Sequence, residues 1–85
     1  MDRVINENGD VAVKHTRLVP VHVKGADGRE YIFSIRANIT MAWIHPDDVD
    51  PLLSTLGGCC GQKNKKVFRL ANEDDVRRWT NNGGR

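Results

Sequence analysis

The sequence predicts a small α+β domain, an antiparallel sheet of three to four strands led by an N-terminal meander and joined by two short helices. Three observations predict it. Apolar residues alternate with period two through residues 18–24, 29–35 and 39–44. Breaks rich in Gly, Asp and Asn at 25–28 and 36–38 separate these runs at hairpin spacing. Beyond Ile44 the period becomes that of one helix face, with Val49, Leu52, Leu53 and Leu56 at i, i+3, i+4 and i+7.

In the first strand Val19, Val21 and Val23 share one face, and Leu18, Pro20 and His22 share the other. Pro20 cannot donate a ladder hydrogen bond, so this strand belongs at an edge or carries a bulge. Gly25-Ala26-Asp27-Gly28 closes a short hairpin, with Gly28 free to take the left-handed conformation. On the return strand, Arg29 to Ile35, the face bearing Tyr31, Phe33 and Ile35 joins the valine face in the core. Arg36-Ala37-Asn38 turns the chain again. Ile39, Met41 and Trp43, alternating with Thr40, Ala42 and Ile44, complete the meander.

Pro51 argues against one helix through the next run, because proline fits best at the first helical position. Asp50 therefore reads as the cap and Pro51 to Leu56 as a short helix, preceded by a turn over Pro46 to Val49 and ended by Gly57 and Gly58. Lys66 to Leu70 is a second β-type run, with Val67 and Phe68 buried and a pairing to the Cys59-Cys60 segment. Asn72 and Asp75 have the spacing of a capping box, and Ala71 and Val76 that of a hydrophobic staple. Acid in the first turn and Arg77 and Arg78 near the end suit the dipole of a helix over residues 73–80. Trp43 and Trp79 are expected to meet in the core.

The domain reading is an irregular arm over residues 1–15, one small α+β domain over 16–80 and a polar tail over 81–85. The arm contains a turn at residues 6–10 and a short strand at Val11 and Val13. A chain of 85 residues buries only about two thirds of its extended surface, so a partner, an oligomer or a metal would complete a small core. No apolar run approaches the roughly 20 residues of a membrane span, and the Met-Asp-Arg-Val start lacks the order of a signal peptide. A cytoplasmic protein is the expectation, and there disulfides are disfavoured.

Candidate chemistry is concentrated in Gly57-Gly58-Cys59-Cys60-Gly61. Cys59 and Cys60 with His45, and with His15 and His22 available, supply enough ligands for zinc. Adjacent cysteines lack knuckle spacing, so no cofactor is expected and zinc is the alternative. Catalysis would need a base beside a thiolate, and none is evident near these cysteines, so the chain reads as not an enzyme. Small buried thiols at a tight corner are the preferred reading.

The net charge of +2 is too slight to imply nucleic acid or membrane binding by itself. Its distribution is sharper. Asp47, Asp48 and Asp50 make residues 45–56 acidic, whereas Lys63, Lys65, Lys66 and Arg69 make residues 57–70 basic. The basic loop reads as a solvated hairpin tip ahead of a phosphate-binding surface, because the neighbouring acids would repel phosphates unless they face elsewhere. Arg77-Arg78-Trp79 is a second candidate for partner binding, with the arginines in surface contact and Trp79 packed on the sheet.

From Trp43 to Trp79 the chain, with His45-Pro46-Asp47-Asp48, the Gly-Gly-Cys-Cys-Gly segment and Asn-Glu-Asp-Asp-Val-Arg-Arg-Trp-Thr, resembles short reading frames in tailed-bacteriophage genomes. That resemblance implies a virion part, such as a head, neck or tail accessory subunit, and assigns no residue a role. The expectation is a structural or adaptor module that docks on other protein subunits, in a homo-oligomer or larger assembly. The alternative is a Cys/His zinc-binding regulator that contacts nucleic acid or a host protein.

Overall fold

Val11-Ala12-Val13 is the most deeply buried stretch of the sheet, with exposures of 1%, 0% and 0%. It belongs to β1 (Val11–His15), which lies between β4 (Ile39–Ile44) and β7 (Phe68–Leu70) in a five-stranded antiparallel sheet. The order is completed by β3 (Glu30–Arg36) and the edge strand β2 (Val21–Lys24), giving β2-β3-β4-β1-β7. The structure is a computed structural model that describes residues 3–57 and 65–83.

The meander β2-β3-β4 forms, with Val21 opposite Phe33 and Val23 opposite Tyr31, but Val19 precedes β2 and is 44% exposed, and Ile35 is 41% exposed, so neither joins the core as expected. Gly28 takes φ +78° in the first hairpin, the left-handed conformation its lack of a Cβ permits. The second turn holds Ala37 at φ 51° and Asn38 at φ 63°. Both central residues are left-handed, as in the hairpin turn whose twist matches the strands.

The expected irregular arm differs from what is seen. Residues 6–10 do form a turn, in which Asn6 Oδ1 accepts from the backbone N–H groups of Asn8 and Asp10, each at 2.9 Å. That turn returns the chain into β1 beside Val4, whose carbonyl accepts from Ala12 N at 3.0 Å. β1 lies inside the sheet, fourth of five in the order, and both its faces are covered. Val11 and Val13 join Phe33, Ala42, Ile44, Val49, Leu52 and Phe68 on one face, while Ala12 joins Ile39, Met41, Ala71 and Trp79 on the other.

α1 (Pro46–Leu53) closes the first face and α2 (Glu73–Gly83) the second. α1 begins five residues before the position read from Pro51. His45, not Asp50, is the cap, and Pro46 takes the N-terminal helical position. Pro51 lies inside and removes one internal hydrogen bond, yet the preceding turn holds because Val49 is 0% exposed and Asp48 3%. Tertiary anchoring outweighs the proline penalty here.

After α1 the chain forms a two-stranded ribbon, β5 (Leu56–Gly57) with β6 (Lys65–Lys66). Leu56 is thus in a strand, not in the helix. β7 pairs with β1, and Phe68 is buried while Val67 is half-buried. Cys59 and Cys60 lie outside the described residues. The predicted capping box is present: Asn72 Oδ1 accepts from Asp75 N at 2.7 Å, and Asp75 Oδ2 accepts from Asn72 N at 3.4 Å. α2 runs on to Gly83, past the stop read at Asn81.

Candidate functional site

Two groups of charged side chains stand out, at opposite ends of the strands. The first surrounds Asp48. The second collects cations where β1 ends.

Asp48 is brought inward by the first turn of α1 against the β2–β3 hairpin. Its carboxylate accepts from Ala26 N at 3.0 Å, from Arg29 Nε at 2.9 Å and from the Tyr31 hydroxyl. The same hydroxyl accepts from His45 N at 3.2 Å, so one phenol links the hairpin to the helix cap. Gly25 is required at this approach, because a Cβ there would lie 2.7 Å from Asp48 Cγ and 2.9 Å from the Tyr31 ring. The Arg29 guanidinium, then the Tyr31 hydroxyl and Ala26 N–H, hold the Asp48 carboxyl well below the usual carboxylate range. Asp48 in turn raises Arg29 further above its already high value. Burial, then the bond to Asp48, raises Tyr31, so the phenol stays protonated. With both oxygens engaged by donors, Asp48 acts as a clamp between hairpin and helix, not as a base awaiting a substrate proton.

The second group is assembled from distant parts of the chain. Thr16 N donates to Val67 O at 2.9 Å and extends the β1–β7 ladder, which brings Arg17 beside Lys65 and Lys66. One surface groove of about 390 Å³ is lined by Lys14, His15, Arg69 and Arg78 among others. A second, of about 270 Å³, is lined by Arg17, Lys65, Lys66 and Arg69, and the two share Thr16 and Arg69. Asp75 is the one carboxylate lining either groove among the described residues, and it pairs with Lys14 Nζ at 2.9 Å. Lys14 and Arg69 stand directly opposite each other on antiparallel strands, a like-charge pairing that costs stability.

Six cations and one carboxylate line these grooves, out of 13 cations and 11 carboxylates in the chain. Among the described residues these grooves therefore carry a local balance of +5, against a net charge of +2 for the whole chain. The acids of α1 do face elsewhere. Asp48 is in its clamp and Asp50 pairs with Arg3 at 3.0 Å.

The other residues singled out in the sequence are dispersed. His45 caps α1, its Nδ1 accepting from Asp47 N at 3.1 Å. His22 lies 3.3 Å from Glu30, and His15 meets Phe68 edge to face. Among the described residues no three His, Cys, Asp and Glu side chains gather as a metal site. Trp79 is 9% exposed, its Nε1 donates to Ser34 O at 3.3 Å, and the Arg36 guanidinium lies 4.4 Å from its ring centre. It packs in the same cluster as Trp43 and offers no surface anchor. Arg77 is exposed and 3.9 Å from Asp74, whereas Arg78 turns toward the cationic grooves. No helix among the described residues is long and apolar enough to cross a membrane. Comparison with family models, curated proteins and solved structures finds no match to this chain.

Sequence reasoning missed Lys14, His15 and Arg17 at the cationic face, and Arg29 and Tyr31 around Asp48. Arg29 and Tyr31, two apart on one strand face, were a usable signal. Nothing local linked them to Asp48, or Lys14 to Arg69.

Proposed function

We propose that this chain is a non-enzymatic docking module that joins a larger assembly through the cationic end of its sheet. One observation carries the reading: six cations from β1, the following turn, β6, β7 and α2 converge on two adjoining grooves with one carboxylate among them. Such a field attracts an acidic partner and speeds its encounter. The full engagement of Asp48 supports a structural use for the buried carboxylate. The resemblance of residues 43–79 to tailed-phage reading frames supports placing the module in a virion, as a head, neck or tail accessory subunit.

Retention on a sulfated polysaccharide resin tests the surface without presuming the partner. The wild-type chain is expected to bind at low salt, and the K65E/K66E/R69E variant to elute before it at much lower salt. A K24E/R3E control changes the net charge but lies away from the grooves. Equal loss in that control, or no retention of the wild type, would sink the proposal.

A further inference from the structure

We infer that the partner of the cationic face is the phosphodiester backbone of a nucleic acid, held without reading of the bases. This rests on the docking reading above and names the chemistry of its ligand. Three features of the face favour phosphate over an acidic protein. The first is its shape. The grooves adjoin through Thr16 and Arg69 and form a track, lined by Lys14 and Arg78 at one part and by Arg17, Lys65 and Lys66 at the other. A track of separated cations suits a repeating chain of single charges.

The second is composition. Interfaces between proteins are anchored by aromatic or large apolar side chains at a desolvated centre. Here the apolar lining is Leu18, Ile39 and Val67, and Trp79, the residue type best suited to anchor, is buried on the sheet-facing side of α2. Nucleic-acid interfaces are instead polar and strongly positive. The third is electrostatic. Like charges on Lys14 and Arg69 stand opposite each other and repel, and Asp75 pairs with Lys14. A phosphate placed beside Arg69 relieves that repulsion, and guanidinium groups hold phosphate oxygens through paired N–H donors.

Base reading is not expected. Among the described residues no aromatic ring lines either groove except the His15 imidazole, which is already committed to Phe68 and to Arg17 N at 3.1 Å. Stacking platforms are therefore lacking among the described residues.

The test is fluorescence anisotropy of the full chain with a labelled 20-nucleotide single strand, a 20-base-pair duplex of scrambled sequence and a polyglutamate peptide of matched charge. Either nucleic acid should bind with a dissociation constant of about 10⁻⁶–10⁻⁴ M at physiological salt. For four to six phosphates engaged on the duplex, log K against log salt should fall with a slope of about −4 to −5. R69Q should lower that slope by about one and weaken binding several-fold, K65Q/K66Q should lower it by about two, and K24Q should change neither. Circular dichroism of each variant establishes that it is folded. If polyglutamate binds as tightly as both nucleic acids, the docking face stands and the nucleic-acid inference falls. If none of the three binds, or if K24Q weakens binding as much as R69Q, the inference fails. Retention on the sulfated resin then decides whether the docking reading fails with it.

Discussion

Asp48→Asn is the most demanding test of how this fold is held. The substitution keeps the shape of the side chain and removes its charge. Asp48 accepts three hydrogen bonds, from Ala26 N, Arg29 Nε and the Tyr31 hydroxyl. An asparagine has one acceptor oxygen and presents its NH₂ to groups that are themselves donors. Two charge-assisted bonds are lost, at about 1.5–3 kcal/mol each, and the arginine loses its counter-charge. The expected cost is about 3–5 kcal/mol. A chain of this length is stable by about 4–13 kcal/mol in total, so the variant should be close to unfolding and its Tm lower by at least about 12 °C. Urea denaturation followed by circular dichroism at pH 7 measures the difference. A loss under about 1 kcal/mol would refute the clamp, since surface ion pairs are worth no more than that.

The same clamp fixes an acid limb. The folded Asp48 carboxyl titrates below its unfolded value, which lies near about 3.9, so in that range the unfolded chain holds more protons. Its contribution is complete above about pH 5 and falls as pH drops toward the folded value. The wild type should lose stability steadily from pH 5 to pH 3, and Asp48→Asn should flatten that limb.

Four further outcomes follow from the structure. Gly25→Ala should cost about 1–3 kcal/mol by steric overlap with Asp48 and Tyr31, and unchanged urea stability would mean that the hairpin can move away. Ala37→Gly should gain up to about 1 kcal/mol, because Ala37 sits at φ 51°, where an L side chain is penalised by more than glycine gains in unfolded-state freedom; a lower Tm would contradict this. Thr40→Val should be neutral or stabilising by up to about 1 kcal/mol, since Thr40 Oγ1 is buried with no hydrogen-bond partner among the described residues, and a clear loss by thermal melting would reveal a partner. From the cysteine spacing alone, protein purified without added metal should carry less than about a tenth of an equivalent of zinc and melt unchanged with chelator; stoichiometric zinc by elemental analysis would favour the Cys59–Cys60 site instead.

The parts legible in the sequence are those encoded locally. The meander follows from period-two alternation between turn residues, and the start of α2 from the spacing of Asn72 and Asp75. A short strand at Val11 and Val13 is legible, but not its place inside the sheet, because a strand covered on both faces shows a continuous apolar run instead of alternation and Val11-Ala12-Val13 is a short one. α1 was misplaced because proline was weighed by propensity alone. The burial of Val49 and Asp48 that carries the helix through Pro51 depends on the β2–β3 hairpin, about 20 residues away in sequence. The candidate face was half legible. Lys65, Lys66 and Arg69 are contiguous enough to read, whereas Lys14, Arg17 and Arg78 join them only through the β1–β7 pairing and the docking of α2.

The strand register separates what holds the fold from what the face offers a partner. Val11 stands opposite Ile44 at the end where α1 begins and Asp48 is clamped, and His15 stands opposite Thr40 at the end where the cations gather. The clamp takes a carboxylate out of the surface field at the first end, while the ladder sets Lys14 against Arg69 at the second. Burial of an acid at one end thus keeps that acid from diminishing the positive field of the other, where Asp75 pairs with Lys14. Arg17, Lys65, Lys66 and Arg69 are exposed and contribute little apolar burial, so their removal should change the field more than the fold. A surface whose charges oppose one another in the free chain, and whose removal is expected to leave the core intact, fits the proposed ligand that neutralises it better than a role in stability.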